Sequence, residues 1–310
     1  MICALCGSKS TRLIQSIPVA DIVAVYRRFL NLDVTAFFSV GTLNYSFCEQ
    51  CGLYTFIPAT PGDESFYNAL QQYDWYYADE KDEFVSAANW VRQDDRVLEI
   101  GCGKGAFVQH IRCASYQGVD LSENAVCMAK NAGVCVSRST IEDFAEGRAG
   151  LFDIVCAFQT LEHVIDPGAF LRAATSCLAP GGRLLLSVPS QSTFVGETCN
   201  AVLNLPPHHL SRWTDDALRS VGRLFDLSMI SLEHLPLDPS HREWFAMTRI
   251  MSQLRKFPGM APHAIVDNSW LFWRLYALAR ILARCHVAAP VRQPPPVGHT
   301  VLAVFEKGEA

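Results

Sequence analysis

The stretch "RVLEIGCGKGAF", Arg96 to Phe107, decides the fold. Val97, Leu98 and Ile100, interrupted only by Glu99, run into Gly101, Gly103 and Gly105, and the apolar, helix-compatible run "AFVQHI" follows. A strand meeting a glycine turn and then a helix start makes a nucleotide-binding corner, because bare backbone amides can approach a ligand there. Gly101-x-Gly103-x-x-Ala106 also satisfies the dinucleotide fingerprint, with alanine in third place. The loop alone therefore leaves the ligand open.

Outward from this corner, from Asp94 on, short apolar strands alternate with helices. "RVLEI" leads to a helix from Gly105, and "QGVD" to the helix "SENAVCMAKNAG", with Ser122 as N-cap and Gly133 as stop. "VCVS" leads to the turn "TIEDF", and "FDIVCAF" to the helix "PGAFLRAATSCLAPGG", which starts at Pro167. "RLLLSVP" follows as the fifth strand, then a long loop, the helix "TDDALRSVGRLF", the strand "LSMISLEHL", helical segments over about 241–289, and the closing strand "HTVLAVFEK". The pattern predicts an α/β fold with a doubly wound seven-stranded sheet, its last strand antiparallel beside the fifth.

A ligand on such a sheet sits at the carboxyl ends of the strands. Asp120, at the tip of the second strand, has the chemistry to accept both ribose hydroxyls, which suits NAD and S-adenosylmethionine equally. Glu99, two residues before the first glycine, separates them: a carboxylate there repels a pyrophosphate and favours a ligand bearing an ammonium and a sulfonium. An NAD-linked oxidoreductase is disfavoured on this ground.

With these residues in place, the chain resembles the Rossmann-like S-adenosylmethionine-dependent methyltransferases. "VLEIGCGKGAF" is similar to their first motif, "GVDLS" to their second-strand acid, "FDIVCAFQTLEHVIDPGAFL" to their fourth-strand motif, and "LAPGGRLLLSVPS" to their fifth, over about Asp94–Ser190 and more loosely to Leu235. The resemblance implies that Gly101, Cys102 and Gly103 line the methionine part, with Glu99 in reach of its ammonium. Asp120 would take the ribose, Leu121 and Ile141 the adenine ring, and Glu142 its amino group. Phe158 and Gln159 would close over the carboxypropyl side, with His163 on the floor or in catalysis.

Methyl transfer from a sulfonium is an in-line displacement that needs alignment and dryness, and a neutral hydroxyl also needs a base. "PPHHLSRW" offers His208 and His209 after the fifth strand, where an imidazole can take a proton. A packing or capping role is the alternative for each histidine.

Twelve cysteines are too scattered for a disulfide framework. Four stand out: Cys3-x-x-Cys6-Gly7 and Cys48-x-x-Cys51-Gly52 are matching knuckles. Two residues between cysteines let one tight turn present both sulfurs to a metal, so one structural zinc on Cys3, Cys6, Cys48 and Cys51 is expected. Between the knuckles "IPVADIVAVYRRFLNLDV" reads as a helix and "LNYSFCEQCGLYTFIPA" as a hairpin, giving a zinc-ribbon-like cap over 1–57. Residues 58–93 form an aromatic helical connector, or a lid presenting Tyr73, Trp75, Tyr76 and Tyr77, and 94–310 the cofactor-binding domain. A zinc cap joined to this domain is similar to the arrangement in methyltransferases of sugar and antibiotic biosynthesis, which implies a small-molecule acceptor such as a sugar, glycan or secondary-metabolite intermediate.

The net charge of −5 offers no broad basic surface for nucleic acid. In the cap, Lys9, Arg12, Arg27 and Arg28 stand against Asp21, Asp33 and Glu49, too weak a balance for an RNA methyltransferase with a nucleic-acid-gripping ribbon. An intact glycine loop with Glu99 and Asp120 argues against a non-catalytic interaction protein. "MICALCGSKS" lacks a secretory pattern, so a cytoplasmic location is expected. The segment 269–288 reads as a helix with a wide apolar face edged by Arg274, Arg280 and Arg284, for packing on the main domain, a second subunit or a membrane surface.

Overall fold

The fold is that of a computed structural model in which residues 2–73, 81–261, 263–287 and 296–309 are described. The chain begins with the first knuckle and then β1 (Thr11–Pro18), a strand the sequence patterning leaves unassigned. It continues into α1 (Val19–Leu30), which buries Ile22, Val23, Tyr26 and Leu30 on one face and ends at Asn31 in the left-handed conformation. β2 (Thr42–Cys48) and β3 (Tyr54–Ile57) form the expected hairpin, with the second knuckle at its turn. The connector holds α2 (Glu64–Gln71), capped by the Asp63 carboxylate, and α3 (Asp82–Ala88).

The main sheet starts with β4 (Arg96–Ile100), followed by β5 (Ser115–Asp120), α4 (Glu123–Asn131), β6 (Val136–Arg138), α5 (Ile141–Ala145) and β7 (Phe152–Phe158). Then come α6 (Pro167–Cys177), β8 (Leu178–Pro189), the short β9 (Ser211–Arg212), α7 (Asp215–Leu224) and β10 (Leu227–Pro236). α8 (Arg242–Leu254) and α9 (Trp270–Val287) precede the closing β11 (Val297–Lys307). The sheet order is β10-β11-β8-β7-β4-β5-β6, and β11 lies antiparallel between β8 and β10. Strand order reverses between β4 and β7, so the carboxyl end of β4, where the glycines sit, opens into the crevice.

Two predicted helices differ. After Gly105 there is only a short 3₁₀ turn, Ala106–His110, because the chain must re-enter the sheet at Ser115. Phe107 turns inward and packs with Phe84 and Phe158, their ring centroids 5.5 and 4.7 Å away. The helix expected through "LAPGG" stops at Cys177, and Leu178 already pairs with Phe152 of β7. Pro180 disfavours a helical residue before it, and Gly181 takes a positive φ of 71°.

The cap is not a detached module. β9, from the loop after β8, pairs with β3 through Tyr54↔Arg212 and Thr55↔Ser211, completing a four-stranded sheet of order β1-β2-β3-β9. Cys3, Leu5, Cys48, Cys51 and Leu53 share one buried core with Leu171 of α6, Trp213 and Leu218 of α7. Backbone oxygens of the second knuckle are held from α7 and its cap: Thr214 Oγ1 donates to Gly52 O at 2.9 Å, and Ser220 Oγ to Cys51 O at 3.2 Å.

The lid expectation falls partly outside the described residues, where Trp75, Tyr76 and Tyr77 lie. Tyr73 donates its hydroxyl to Leu30 O at 2.8 Å, tying the connector to α1. α9 packs one face against α8 through Phe272 and Ala279, and Arg28 of α1 lies 3.9 Å over the Trp273 ring. Its opposite face leaves Trp270, Leu278, Ile281 and Leu282 exposed. Among the described residues, no helix is long and apolar enough to cross a membrane.

Candidate active site

A cavity of about 1520 Å³ opens over the carboxyl ends of β4, β5 and β7. It reaches past α2 to Phe29 of α1, and to Trp244, Met247 and Tyr276 of α8 and α9. A single small-ligand pocket measures roughly 300–1,000 Å³, so this space suits two ligands side by side.

At one end lies the glycine turn. Gly101 and Gly103 have φ of +70° and +53°, a region that glycine enters at no steric cost. A Cβ on Gly101 would stand 2.3 Å from Thr160 Oγ1, so the turn is bare for packing reasons as well. The Asp120 carboxylate braces it: Oδ2 accepts from Gly103 N at 2.7 Å and Oδ1 from Ser122 N at 2.8 Å. A carboxylate has about four acceptor sites, so Asp120 keeps lone pairs for ribose hydroxyls.

Glu99 departs from its sequence reading. Its side chain is only 2% exposed and takes a short hydrogen bond from the Tyr116 hydroxyl. Burial pushes its pKa up to about 8, against the Tyr116 hydrogen bond and the nearby Lys81 cation. In the ligand-free chain Glu99 is therefore protonated at neutral pH, and it repels a phosphate only once ionised. A ligand ammonium at the cavity floor would bring about that ionisation.

The other predicted contacts line the same cavity at different depths. Cys102 and Ile141 are buried in its wall, while Leu121 and Glu142 are exposed at the rim. The Phe158 ring is core, 5.2 Å from Phe84 and 4.7 Å from Phe107 by ring centroids, and only part of it reaches the cavity. Gln159 adopts a left-handed φ of 49°, with its backbone N–H on Ser187 O at 2.9 Å.

Beyond the glycine turn the structure gathers His163, His208 and His209, which the sequence places 45 residues apart. The His208 and His209 rings stack, centroids 4.6 Å apart, and His163 meets both edge-on at 4.5 and 4.8 Å. Each Nδ1 faces an oxygen acceptor: His163 on His208 O at 2.7 Å, His208 on Leu203 O at 2.8 Å, and His209 on Asn204 Oδ1 at 2.9 Å. Each Nδ1 therefore carries the hydrogen, and each Nε2 the lone pair. Burial lowers all three pKa values, that of His163 to about 4, so the rings are neutral bases at pH 7.

Glu162 completes this cluster and was not singled out from the sequence, although it sits inside the Leu-Glu-His segment. It is 1% exposed, neither carboxylate oxygen has a hydrogen-bond partner, and burial raises its pKa to about 8. Oε1 stands 3.9 Å from His209 Nε2 and 4.0 Å from His163 Nε2, too far for hydrogen bonds. Tyr116 and Lys81 were also missed, since only the folded chain brings them to Glu99.

The four knuckle cysteines converge. Sγ of Cys3 lies 3.6 Å from that of Cys51, and Cys6 from Cys48 likewise, with all four sulfurs within 4.8 Å.

Comparison with known proteins agrees with this geometry. Residues 70–235 match a family described as "Methyltransferase domain", which covers just over half of the chain. A ubiquinone biosynthesis O-methyltransferase of Marinobacter nauticus is 35% identical over 146 residues, 43% of this chain and 59% of that protein. The chain thus spans about three fifths of that relative. Another protein of that name, from Pseudomonas syringae pv. tomato, is 32% identical over 169 residues, 45% of this chain and 73% of its own length. A SAM-dependent methyltransferase structure from Thermotoga maritima shares the fold with a TM-score of 0.50 at 19% identity, covering 79% of this chain and 97% of that one. The chain belongs to the methyltransferase-domain family, built on the class I, Rossmann-like S-adenosylmethionine-dependent fold.

Proposed function

We propose that the chain transfers a methyl group from S-adenosylmethionine to a hydroxyl of a small acceptor with a large apolar body. The observation that carries this reading is one oversized cavity with a braced, bare glycine turn at one end and a cluster of neutral imidazoles at the other. Bound S-adenosylmethionine supplies an electrophilic methyl group on a sulfonium. Gly101, Cys102 and Gly103 would cradle its methionine part, Glu99 its ammonium, and Asp120 its ribose. Leu121 and Ile141 would flank the adenine, with Glu142 at its amino group, and Phe158 and Gln159 would bound the carboxypropyl side. At the acceptor end, the Nε2 lone pair of either His209 or His163 would accept the hydroxyl proton as the oxygen bonds the methyl group and the methyl–sulfur bond breaks, the neutral thioether S-adenosylhomocysteine leaving, while the apolar walls would exclude water.

The relatives named for O-methylation in ubiquinone biosynthesis support an oxygen acceptor. The wall built from Phe29, Val195, Trp244, Met247 and Tyr276 suits a secondary-metabolite or quinone-like ring better than a bare sugar or glycan. The cap cations are largely engaged, Arg12 with Glu49, Arg27 with Asp33 and Arg28 with Trp273, which leaves little for a nucleic acid. For Cys3, Cys6, Cys48 and Cys51 we infer one structural zinc. The supporting observation is the 3.6 Å sulfur spacing, close to the roughly 3.8 Å edge of a tetrahedron with 2.3 Å bonds. With four protein ligands it would stabilise, not catalyse.

The test is transfer of a labelled methyl group to a panel of hydroxylated aromatic, prenylated and sugar acceptors, with products read by mass spectrometry. Label on an aromatic or prenylated hydroxyl is expected. Transfer to sugars alone overturns the acceptor class, and calorimetry without S-adenosylmethionine binding overturns the whole reading.

A further inference from the structure

Where the turn after β10, the start of α8 and the start of β11 wall the cavity, a second group of polar side chains lines it, which proton acceptance does not use. From Pro189 onward, Asp238 is the one charged side chain among the described residues that lines the cavity. The two hydrogen bonds it accepts, from Ser240 N at 2.7 Å and Ser240 Oγ at 2.6 Å, both fall on Oδ1. Oδ2 has no partner among the described residues. The Ser240 bonds hold the carboxyl below the usual carboxylate range, so Asp238 is ionised at neutral pH. Three rings line the cavity with it: His241, Trp244 one helical turn on, and His299 near the start of β11. His241 meets Trp244 and His299 edge-on, centroids 5.6 and 4.8 Å away, and Trp244 lies 5.7 Å from His299. Both ends of this box are anchored. His299 O accepts from Ser190 N at 2.7 Å, and Phe194 packs edge-on against Trp244 at 4.7 Å.

The chemistry of the box selects among ligand groups. Burial lowers the pKa of His299 to about 4 and that of His241 below its ordinary value, so both rings are neutral at pH 7. A carboxylate or phosphate would be repelled by Asp238, and would gain from the imidazoles only if they were protonated against their burial. A hydroxyl would leave the Asp238 charge unmatched. An ammonium matches it, the Trp244 indole offers the aromatic face that attracts a cation best, and a neutral imidazole nitrogen accepts from an N–H. Nδ1 of His241 has no hydrogen-bond partner among the described residues.

We infer that Asp238, His241, Trp244 and His299 form a subsite for a protonated amine carried by the acceptor. That the amine belongs to the molecule methylated at its hydroxyl rests on the methyl-transfer reading above; the affinity of the subsite for an ammonium does not. The acceptor class narrows to amine-bearing hydroxy compounds, with the amine seated in this box and the hydroxyl at His209 or His163. No bond changes at the box, which positions the acceptor and selects it by charge.

The test uses the full chain and a set of para-hydroxyphenyl compounds whose alkyl tether, made in increasing lengths, ends in an ammonium, a methyl group or a carboxylate. Binding is read by calorimetry, and transfer of a labelled methyl group by mass spectrometry. At one tether length the ammonium compound should bind at least about tenfold more tightly than its methyl homologue, and the carboxylate compound more weakly than either. Asp238→Asn keeps the oxygen that Ser240 uses and should melt as the unaltered chain does, yet lose most of that preference, through a raised KM for the amine with kcat little changed. Trp244→Leu, which removes the aromatic face, should lower the preference severalfold. The inference is overturned if no tether length favours the ammonium, or if Asp238→Asn keeps the full preference. Methyl transfer that ignores the head group sinks the amine subsite alone. A chain that prefers the ammonium but binds no S-adenosylmethionine and transfers no methyl sinks the methyltransferase reading alone.

Discussion

Glu99 is protonated at the floor of the cavity while it accepts from the Tyr116 hydroxyl, and a ligand ammonium beside it would drive off the carboxyl proton. Binding of S-adenosylmethionine at pH 7 should therefore release close to one proton, measurable by calorimetry in buffers of different ionisation enthalpy. Glu99→Gln should release none and bind about ten- to a hundredfold more weakly, the loss of one hydrogen bond to a charged group. The same group sets a pH dependence of folding. Glu99 and Glu162 have folded pKa values raised from 4.5 to about 8, so the stability from burying them neutral is complete below pH 4.5 and lost as pH rises through 8. His163, lowered from 6.5 to about 4, acts in the opposite sense: its contribution is present above 6.5 and lost as pH falls through 4. His208 and His209, lowered by burial as well, add to it, so below pH 6.5 the three histidines outweigh the two glutamates, and stability of the ligand-free chain should peak near pH 6.5 and decline toward pH 8. In Glu99→Gln about half of that decline should disappear from urea midpoints, and an unchanged slope would refute the assignment.

At the scale of elements, the turn after β4 and the loop through β9 carry the site. Gly101→Ala puts a methyl group against Thr160 and an L-residue at a φ of +70°. It should cost about 2 kcal/mol or more in thermal unfolding, and Thr160→Ala should recover only the part due to the clash. β9 explains how a loop can hold two histidines in register. Arg212, 2% exposed, donates from Nε and Nη2 to Asn204 O at 2.9 and 2.6 Å, and its guanidinium lies over Tyr45 and Phe56 of the cap sheet. Asn204 in turn fixes His209 through its side chain. Arg212→Lys loses the paired donors and the flat stack, so it should destabilise by about 1–3 kcal/mol. It should also lower kcat while leaving cofactor affinity intact; equal loss of both would show a general packing role.

Over the whole molecule, the knuckles, α6, α7 and the main sheet share one core, so cap and catalytic body should not melt separately. Structural zinc sites contribute about 10 kcal/mol or more. At roughly 2 cal/mol/K per residue of unfolding entropy, stripping the inferred zinc with a strong chelator should lower the melting temperature by about 15 °C or more in a single calorimetric transition. Two transitions, with only the first moved, would show that the cap folds alone. The cap thus has a physical route to the histidine cluster: β3 pairs with β9, and His208 and His209 precede β9 by a few residues.

The sequence by itself determined the doubly wound class of the sheet, its seven strands and the antiparallel place of the last beside the fifth, because glycine spacing, strand-length apolar runs and a returning last strand are local signals that need no partner. It also determined the paired knuckles, since two residues between cysteines is itself a chelating geometry. Glu99 was legible as a ligand-facing acid, but its proton was not, because that depends on burial and on Tyr116 from the neighbouring strand. Phe158 was legible as an aromatic at a strand end beside the cavity, but its packing against Phe84 and Phe107 was not, because those rings come from other segments. Only the tertiary structure brought His163 against His208 and His209, left Glu162 without a partner, and joined the cap to the loop through β9. Those relations arise from residues far apart in the chain, whose meeting is set by packing and by the desolvation it imposes.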